Sequence, residues 1–113
     1  NITDGNAGTV VEALFGPDNE GRPKIAFQLY LYDVFCRESE EFRGQRFVNV
    51  IYPPANLFKE PVKEVPVSEE FMRMTEEGLH GLLAEIASLE VPFRRTDEEK
   101  TCSYCDFRMI CGR

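Results

Sequence analysis

Apolar positions recur along the chain at two different periods, and those periods divide it into segments. Between residues 23 and 38, Ile25, Gln28, Leu29, Tyr32 and Cys36 repeat every three or four residues, the spacing of one helix face. Pro23 suits the opening position of such a helix, where its missing N–H would have no intrahelical partner. A second set, Phe27, Tyr30, Leu31, Val34 and Phe35, covers the other side. The pattern therefore predicts a helix over 23–38 that is apolar nearly all round and buried on most sides. Glu38, Glu40, Glu41, Arg43 and Gly44 end it, and residues 46–52 are rich in Phe, Val and Ile, as a strand would be. Pro53-Pro54 stops that strand. Residues 60–67 alternate, with Val62, Glu64 and Pro66 on one side and Pro61, Lys63, Val65 and Val67 on the other. Their prolines predict an edge strand, because proline cannot donate to a ladder.

Ser68 followed by Glu69 and Glu70 is a helix start: the hydroxyl can accept an unpaired backbone N–H, and carboxylates favour the positive end of the helix dipole. Leu79, Leu82, Leu83, Ile86 and Leu89 then fall on one stripe, predicting an amphipathic helix over 69–90 that Pro92 closes. The first 22 residues hold one apolar patch, Val10, Val11, Ala13, Leu14 and Phe15, before the turn signals Gly16-Pro17-Asp18 and Gly21-Arg22-Pro23. They read as a loop with a short helix at most. Residues 94–100 form a charged linker to a cysteine-rich tail over 94–113. The expected architecture is a single partial α+β domain: a loop over 1–22, a buried helix, a two-stranded β segment over 46–67, a long amphipathic helix and the tail.

Composition narrows the class. A chain of 113 residues can build one modest core. With 42% hydrophobic and 29% charged residues, and no apolar run near the roughly 20 residues of a membrane span, it reads as neither disordered nor membrane-spanning. The formal charge of −7 argues against a free-standing nucleic-acid binder, since phosphate contacts need clustered Lys and Arg. Asn1 opens a polar, Gly-rich stretch with no apolar leader. We therefore expect a cytoplasmic piece cut from a longer chain.

Candidate chemistry concentrates at two places. The tail carries Cys102, Cys105 and Cys111, three of the four cysteines. Close Cys-x-x-Cys spacing without an export signal points to metal or redox chemistry rather than disulfides. Three thiolates within one short turn and one helical turn can converge on a single metal or cluster face, leaving one position open. Cys36 is the other thiol, although on an apolar stripe a free Cys behaves as a small hydrophobe. The second place is the 23–38 helix, where Gln28 and Tyr32 project an amide and a phenol from one face, one turn apart. On a buried face both need polar partners, which a catalytic cleft, a nucleic-acid backbone or an ordinary satisfied core would supply. His80, a lone histidine between Gly78 and Gly81, is assigned nothing.

Taken together, Gln-x-x-x-Tyr on a helix, two strands, a long amphipathic helix and a terminal Cys-x2-Cys-x5-Cys resemble the RecB-like branch of the PD-(D/E)XK nuclease superfamily. The ending, with its aromatic residue and Arg between the second and third thiols, resembles the iron-sulfur staple of AddB-type nucleases. The resemblance runs from about Val10 to Arg113. It implies the C-terminal part of a restriction-endonuclease-like fold and a parent DNA exonuclease of recombination and repair, acting with a helicase partner or helicase domain. It implies that Gln28 and Tyr32 support catalysis beside the active site. It also implies that Cys102, Cys105 and Cys111 ligate a 4Fe-4S cluster, and that Mg2+ or Mn2+ serves the reaction in the intact parent. Lys24, one turn before Gln28, is a candidate phosphate contact that matches no family motif. The family's Asp-x-Lys strand has no counterpart upstream of Gln28, where Glu12 is followed by Ala13-Leu14. The resemblance therefore implies that the chain alone is inactive and that an exposed first helix could pair with a second copy. The competing reading is a small zinc-binding interaction module without catalytic activity.

Overall fold

A computed structural model describes residues 1–17, 21–56, 58–59, 61, 63–97 and 99–112. Parts of the expected turn at Asp18 and of the expected edge strand, Glu60 and Val62, lie outside the described residues. Among these residues four α-helices follow one another: α1 (Asp4–Phe15), α2 (Lys24–Glu38), α3 (Glu69–Ala87) and the short α4 (Glu99–Ser103), with 3-10 turns at Glu40–Phe42 and Pro54–Asn56. No helix among the described residues is long and apolar enough to cross a membrane.

The first 22 residues thus contain a full helix rather than a loop. Ala7, Val10, Val11 and Leu14 recur at helical spacing, and the Thr3 backbone N–H donates to Asn6 Oδ1 at 2.8 Å, the reach-back half of a capping box. At the far end the Arg22 guanidinium donates to the Leu14 and Gly16 carbonyls at 3.1 and 2.9 Å, filling acceptors that a helix terminus leaves open. Gly21, at φ 74°, makes the return towards α2 in a conformation that favours glycine.

The α+β expectation is corrected: among the described residues there is no strand, only isolated bridges, parallel at Ile2–Val67 and antiparallel at Val50–Glu64. The two segments expected to pair do run past each other, with Val65 N–H donating to Asn49 O at 2.8 Å, but the ladder does not extend. Pro53, Pro54, Pro61 and Pro66 lack the donors to extend it. Val48, Val50, Ile51 and Tyr52 all stay exposed, and although Val65 and Val67 pack partly against the core, the 46–52 segment offers them no buried face of the kind that stabilises a sheet.

The core lies where α1 packs along the N-terminal half of α3, with α2 resting on both. Ile2, Ala7, Leu14, Ala26, Leu29, Tyr30, Phe71 and Met72 are buried there. Ser68 caps α3, its Oγ accepting from Phe71 N–H at 3.1 Å. The stripe that pattern alone places in the core lies largely outside it: Leu82, Leu83 and Ile86 are exposed, and Leu89 lies beyond the end of the helix. The radius of gyration is 17.7 Å, against the roughly 13 Å of a compact domain of this length. Much apolar surface is left without a partner.

Two glycines of α3 test this packing. A Cβ at Gly78 would stand 2.6 Å from the Phe15 ring, whereas one at Gly81 would meet nothing within 4 Å. Gly81→Ala should raise stability by up to about 1 kcal/mol through helix propensity. Gly78→Ala should lower it by about 1–2 kcal/mol, because the displaced ring costs more than propensity returns. Urea midpoints followed by circular dichroism compare the two, and equal gains at both positions would contradict the close α1–α3 contact.

Candidate functional site

The side chains singled out on α2 share a ridge rather than a cleft. Lys24 occupies the first helical position, after the cap at Pro23, and the helix then carries Gln28 and Tyr32 at four-residue steps. Residues so spaced lie one above another, with a slow drift round the axis. The structure turns Ala26, Leu29, Tyr30 and Asp33 inward instead. Lys24 and Gln28 are exposed, and Tyr32 is 60% exposed. The expectation of a helix buried on most sides is therefore corrected. Ile25 and Phe35, at 55% and 66% exposure, flank the ridge, so its amide and phenol stand among uncovered apolar groups.

Beside the start of the ridge lies a groove of about 310 Å³ between α1, α2 and α3, walled by Leu14, Phe15, Phe27 and Leu82, with Arg22, Lys24 and Gln28 also lining it. Phe15 and Phe27 meet edge to face there, their centroids 6.4 Å apart. Phe27 in turn stacks on Tyr30 at 6.1 Å, whose phenol is pushed above its ordinary pKa by burial first and by Glu76 second. Sequence reading missed the groove because it missed α1. The overlooked signal was the helical spacing of Ala7, Val11 and Leu14 with an Asn three residues after Thr3.

A charged clip fixes the other end of α2. Arg37 donates to both carboxylate oxygens of Glu69 at 3.1 and 2.7 Å and lies 3.0 Å from the buried carboxylate of Asp33. The hydrogen bond from Arg37 holds the Glu69 carboxyl below its usual range. Arg37 itself is raised, chiefly by the same bond to Glu69. The clip joins the last turn of α2 to the first turn of α3, and so sets how the ridge sits against the rest of the fold.

The tail forms successive turns, with Cys105 N–H donating to Cys102 O at 3.2 Å and Cys111 N–H to Phe107 O at 3.3 Å. Arg95 Nη1 donates to Cys111 O at 2.6 Å, tying the tail back to its linker. Cys102 and Cys105 are half-buried, Cys111 is exposed, and Cys36 is half-buried on α2. Cys102 lines an open hollow with Glu99, Ser103, Arg108 and Met109. Among the described residues no three His, Cys, Asp or Glu side chains are gathered as a metal would require. The trio has the thiolate chemistry of a zinc or iron-sulfur site, and its donors stand apart in this arrangement. For a magnesium-type centre, no gathering of carboxylates is found among the described residues, and Glu12 lies exposed on α1.

Comparison with known proteins gives one family. A model described as the PD-(D/E)XK nuclease superfamily matches residues 13–112. No curated protein and no solved structure matches significantly.

Proposed function

The chain belongs to the PD-(D/E)XK nuclease superfamily, and from that premise we propose that it is the C-terminal part of a RecB/AddB-type DNA exonuclease of recombination and repair. In this reading the exonuclease acts in the cytoplasm with a helicase partner or helicase domain. The observation that carries the proposal is the exposed ridge of α2, where Gln28 and Tyr32 stand one turn apart with Lys24 before them. Exposed as they are, the amide can donate and accept and the phenol can donate to a phosphate oxygen or to a catalytic side chain brought against this face.

Hydrolysis of a phosphodiester in this way relies on a divalent ion, Mg2+ or Mn2+, which carboxylates would hold and which would activate water and offset charge on the leaving oxygen. This chain supplies no such cluster among its described residues. Its part is to place the strand: Lys24 opposes backbone charge, and Gln28 and Tyr32 fix orientation. By itself the chain should cut nothing.

The tail serves the same body in a different way. Cys102, Cys105 and Cys111 would supply three thiolates to a 4Fe-4S cluster in the intact protein, with a fourth thiolate from outside these residues or from Cys36. Bound, the cluster would be structural, drawing a tail whose helix α4 contributes no buried residue onto the other helices and closing a long loop. Iron and zinc analysis of the intact protein purified without oxygen separates this reading from the zinc module, which would hold zinc and show no iron-sulfur absorption.

Activity provides the functional test. Tyr32→Phe and Gln28→Ala, made in the intact protein, should each lower exonuclease turnover by about tenfold, equivalent to roughly 1.4 kcal/mol of transition-state placement. Because both side chains are exposed, thermal midpoints should hardly move. Unchanged turnover in both variants, or an intact protein that degrades no DNA with Mg2+ or Mn2+ present, would refute the assignment.

A further inference from the structure

The tail has a repeat that its thiols alone do not explain. Its backbone closes short turns in succession, with Cys105 N–H donating to Cys102 O, Arg108 N–H to Cys105 O and Ile110 N–H to Phe107 O at 3.2, 3.2 and 3.0 Å. Bonds that span three residues bring side chains three apart onto one edge. One edge then carries Cys102, Cys105, Arg108 and Cys111, and the next carries Tyr104, Phe107 and Ile110. A group bound to the thiols would occupy the first edge and leave the second as an apolar ridge. All three side chains of that ridge are exposed.

A second apolar surface lies uncovered in the same chain. Every position of α3 from His80 to Ala87 is exposed. Leu82, Leu83 and Ile86, at 43%, 52% and 51% exposure, nevertheless continue the face that Phe71, Met72 and Thr75 bury in the first half of the helix. Charge and tethering single out the tail as what covers them. Arg22 and Lys24 line the groove at Leu82, but along α3 and its exit residues 74–93 include Glu76, Glu77, Glu85 and Glu90 and no Lys or Arg. A second copy, itself at −7, would set these carboxylates against its own, and a phosphate strand or an anionic membrane would meet the same repulsion. The tail over 94–113 instead carries five Lys and Arg against four Asp and Glu, so it approaches without that opposition. Because it is joined to α3 by the chain itself, its effective concentration is on the order of millimolar.

We propose that the tail closes on the C-terminal half of α3 as a strap, its ridge of Tyr104, Phe107 and Ile110 packed over Leu82, Leu83 and Ile86. The inference rests on the reading of the tail as an end tied down through its thiols and deepens it by assigning the surface on which that end lands.

Hydrogen exchange followed by mass spectrometry, on the intact protein purified without oxygen, reads both surfaces. Phe107→Ser combined with Ile110→Ser should speed exchange of the amides over 80–87 by about tenfold, as loss of local protection implies. Leu83→Ser combined with Ile86→Ser should speed the amides over 104–112 to a similar degree. None of the four residues belongs to the buried core, so exchange within α1 should hold in both variants and shows that the fold remains. Exchange over 80–87 that ignores the tail variant would overturn the proposal. So would a Leu83→Ser, Ile86→Ser protein that changes oligomeric state and leaves tail exchange unaltered, which would mark α3 as a contact between copies. If iron or zinc is bound while each variant leaves the other segment unaffected, the strap falls and the metal reading stands. If neither metal is bound and the reciprocal effects appear, the metal reading falls and the strap stands.

Discussion

Phe71→Ala should remove about 3–5 kcal/mol of stability, the cost of deleting a fully buried aromatic side chain and leaving a cavity. Phe71 is 0% exposed, one turn into α3, where its backbone N–H is also the donor to the Ser68 cap. It sits in the single cluster that joins Ile2, Ala7 and Leu14 to Ala26, Leu29 and Tyr30. With so much apolar surface uncovered elsewhere, no second core exists among the described residues to compensate. Domains are stable by only about 5–15 kcal/mol, so the variant should lose most of its cooperative unfolding transition. Thr75, the next residue along α3 with a fully buried side chain, gives the internal control. Its Oγ1 is buried without a hydrogen-bond partner, so Thr75→Val should be neutral or stabilising by about 1 kcal/mol. Urea titrations of both variants decide the matter, and a Phe71→Ala loss below about 1 kcal/mol would place the core elsewhere.

That asymmetry between neighbouring positions shows what the pattern of residues can and cannot convey. The start of α3 was legible because Ser68 and the two glutamates act locally, through one hydroxyl and a dipole, whatever surrounds them. The span of α2 was legible for the same reason: Pro23 and three- and four-residue spacing are local facts. The covered face was not. Periodicity marks Leu79, Leu82, Leu83 and Ile86 as a stripe but does not say what lies over it, and here Leu82, Leu83 and Ile86 face solvent while Phe71 and Met72 enter the core. The strands failed on the same point. Residues 46–52 have the composition of a strand, and composition becomes a sheet only when a neighbour supplies donors and a surface to bury. Pro61 and Pro66 deny the first, and no element supplies the second.

For the candidate site the division is similar. Gln28 and Tyr32 could be placed one turn apart from their numbers alone, whereas their exposure depends on α1 and α3 packing against the other side of α2. Convergence of Cys102, Cys105 and Cys111 is a property of bound metal and tertiary contact together, so spacing within the tail leaves it open. The groove required three helices at once, and no local motif announces it.

Removing the Arg37 clip should destabilise the fold by about 2–3 kcal/mol, somewhat less than the usual cost of orphaning a buried charge, because Arg37 is itself half-exposed. Asp33 is 6% exposed, so Arg37→Met strands a carboxylate in the core while freeing Glu69 harmlessly into water. Replacing Asp33 by Asn in the same background should recover part of the loss, since the buried charge is then gone. The clip also carries a pH signature. Glu69 is depressed from its ordinary 4.5, so the folded state binds its proton less readily than the unfolded chain. That contribution is fully present above pH 4.5 and is lost as pH falls through the depressed value. Glu69→Gln should therefore flatten the stability profile on the acid side and change it little near neutrality. Urea midpoints measured from about pH 3 to pH 7 test this, and an acid slope unchanged by Glu69→Gln would assign the loss to other carboxylates. Because the clip fixes the last turn of α2 against α3, Arg37→Met should also loosen the ridge and the groove together. Its effect on exonuclease turnover in the intact protein should then exceed that of Glu69→Gln, although neither residue belongs to the ridge.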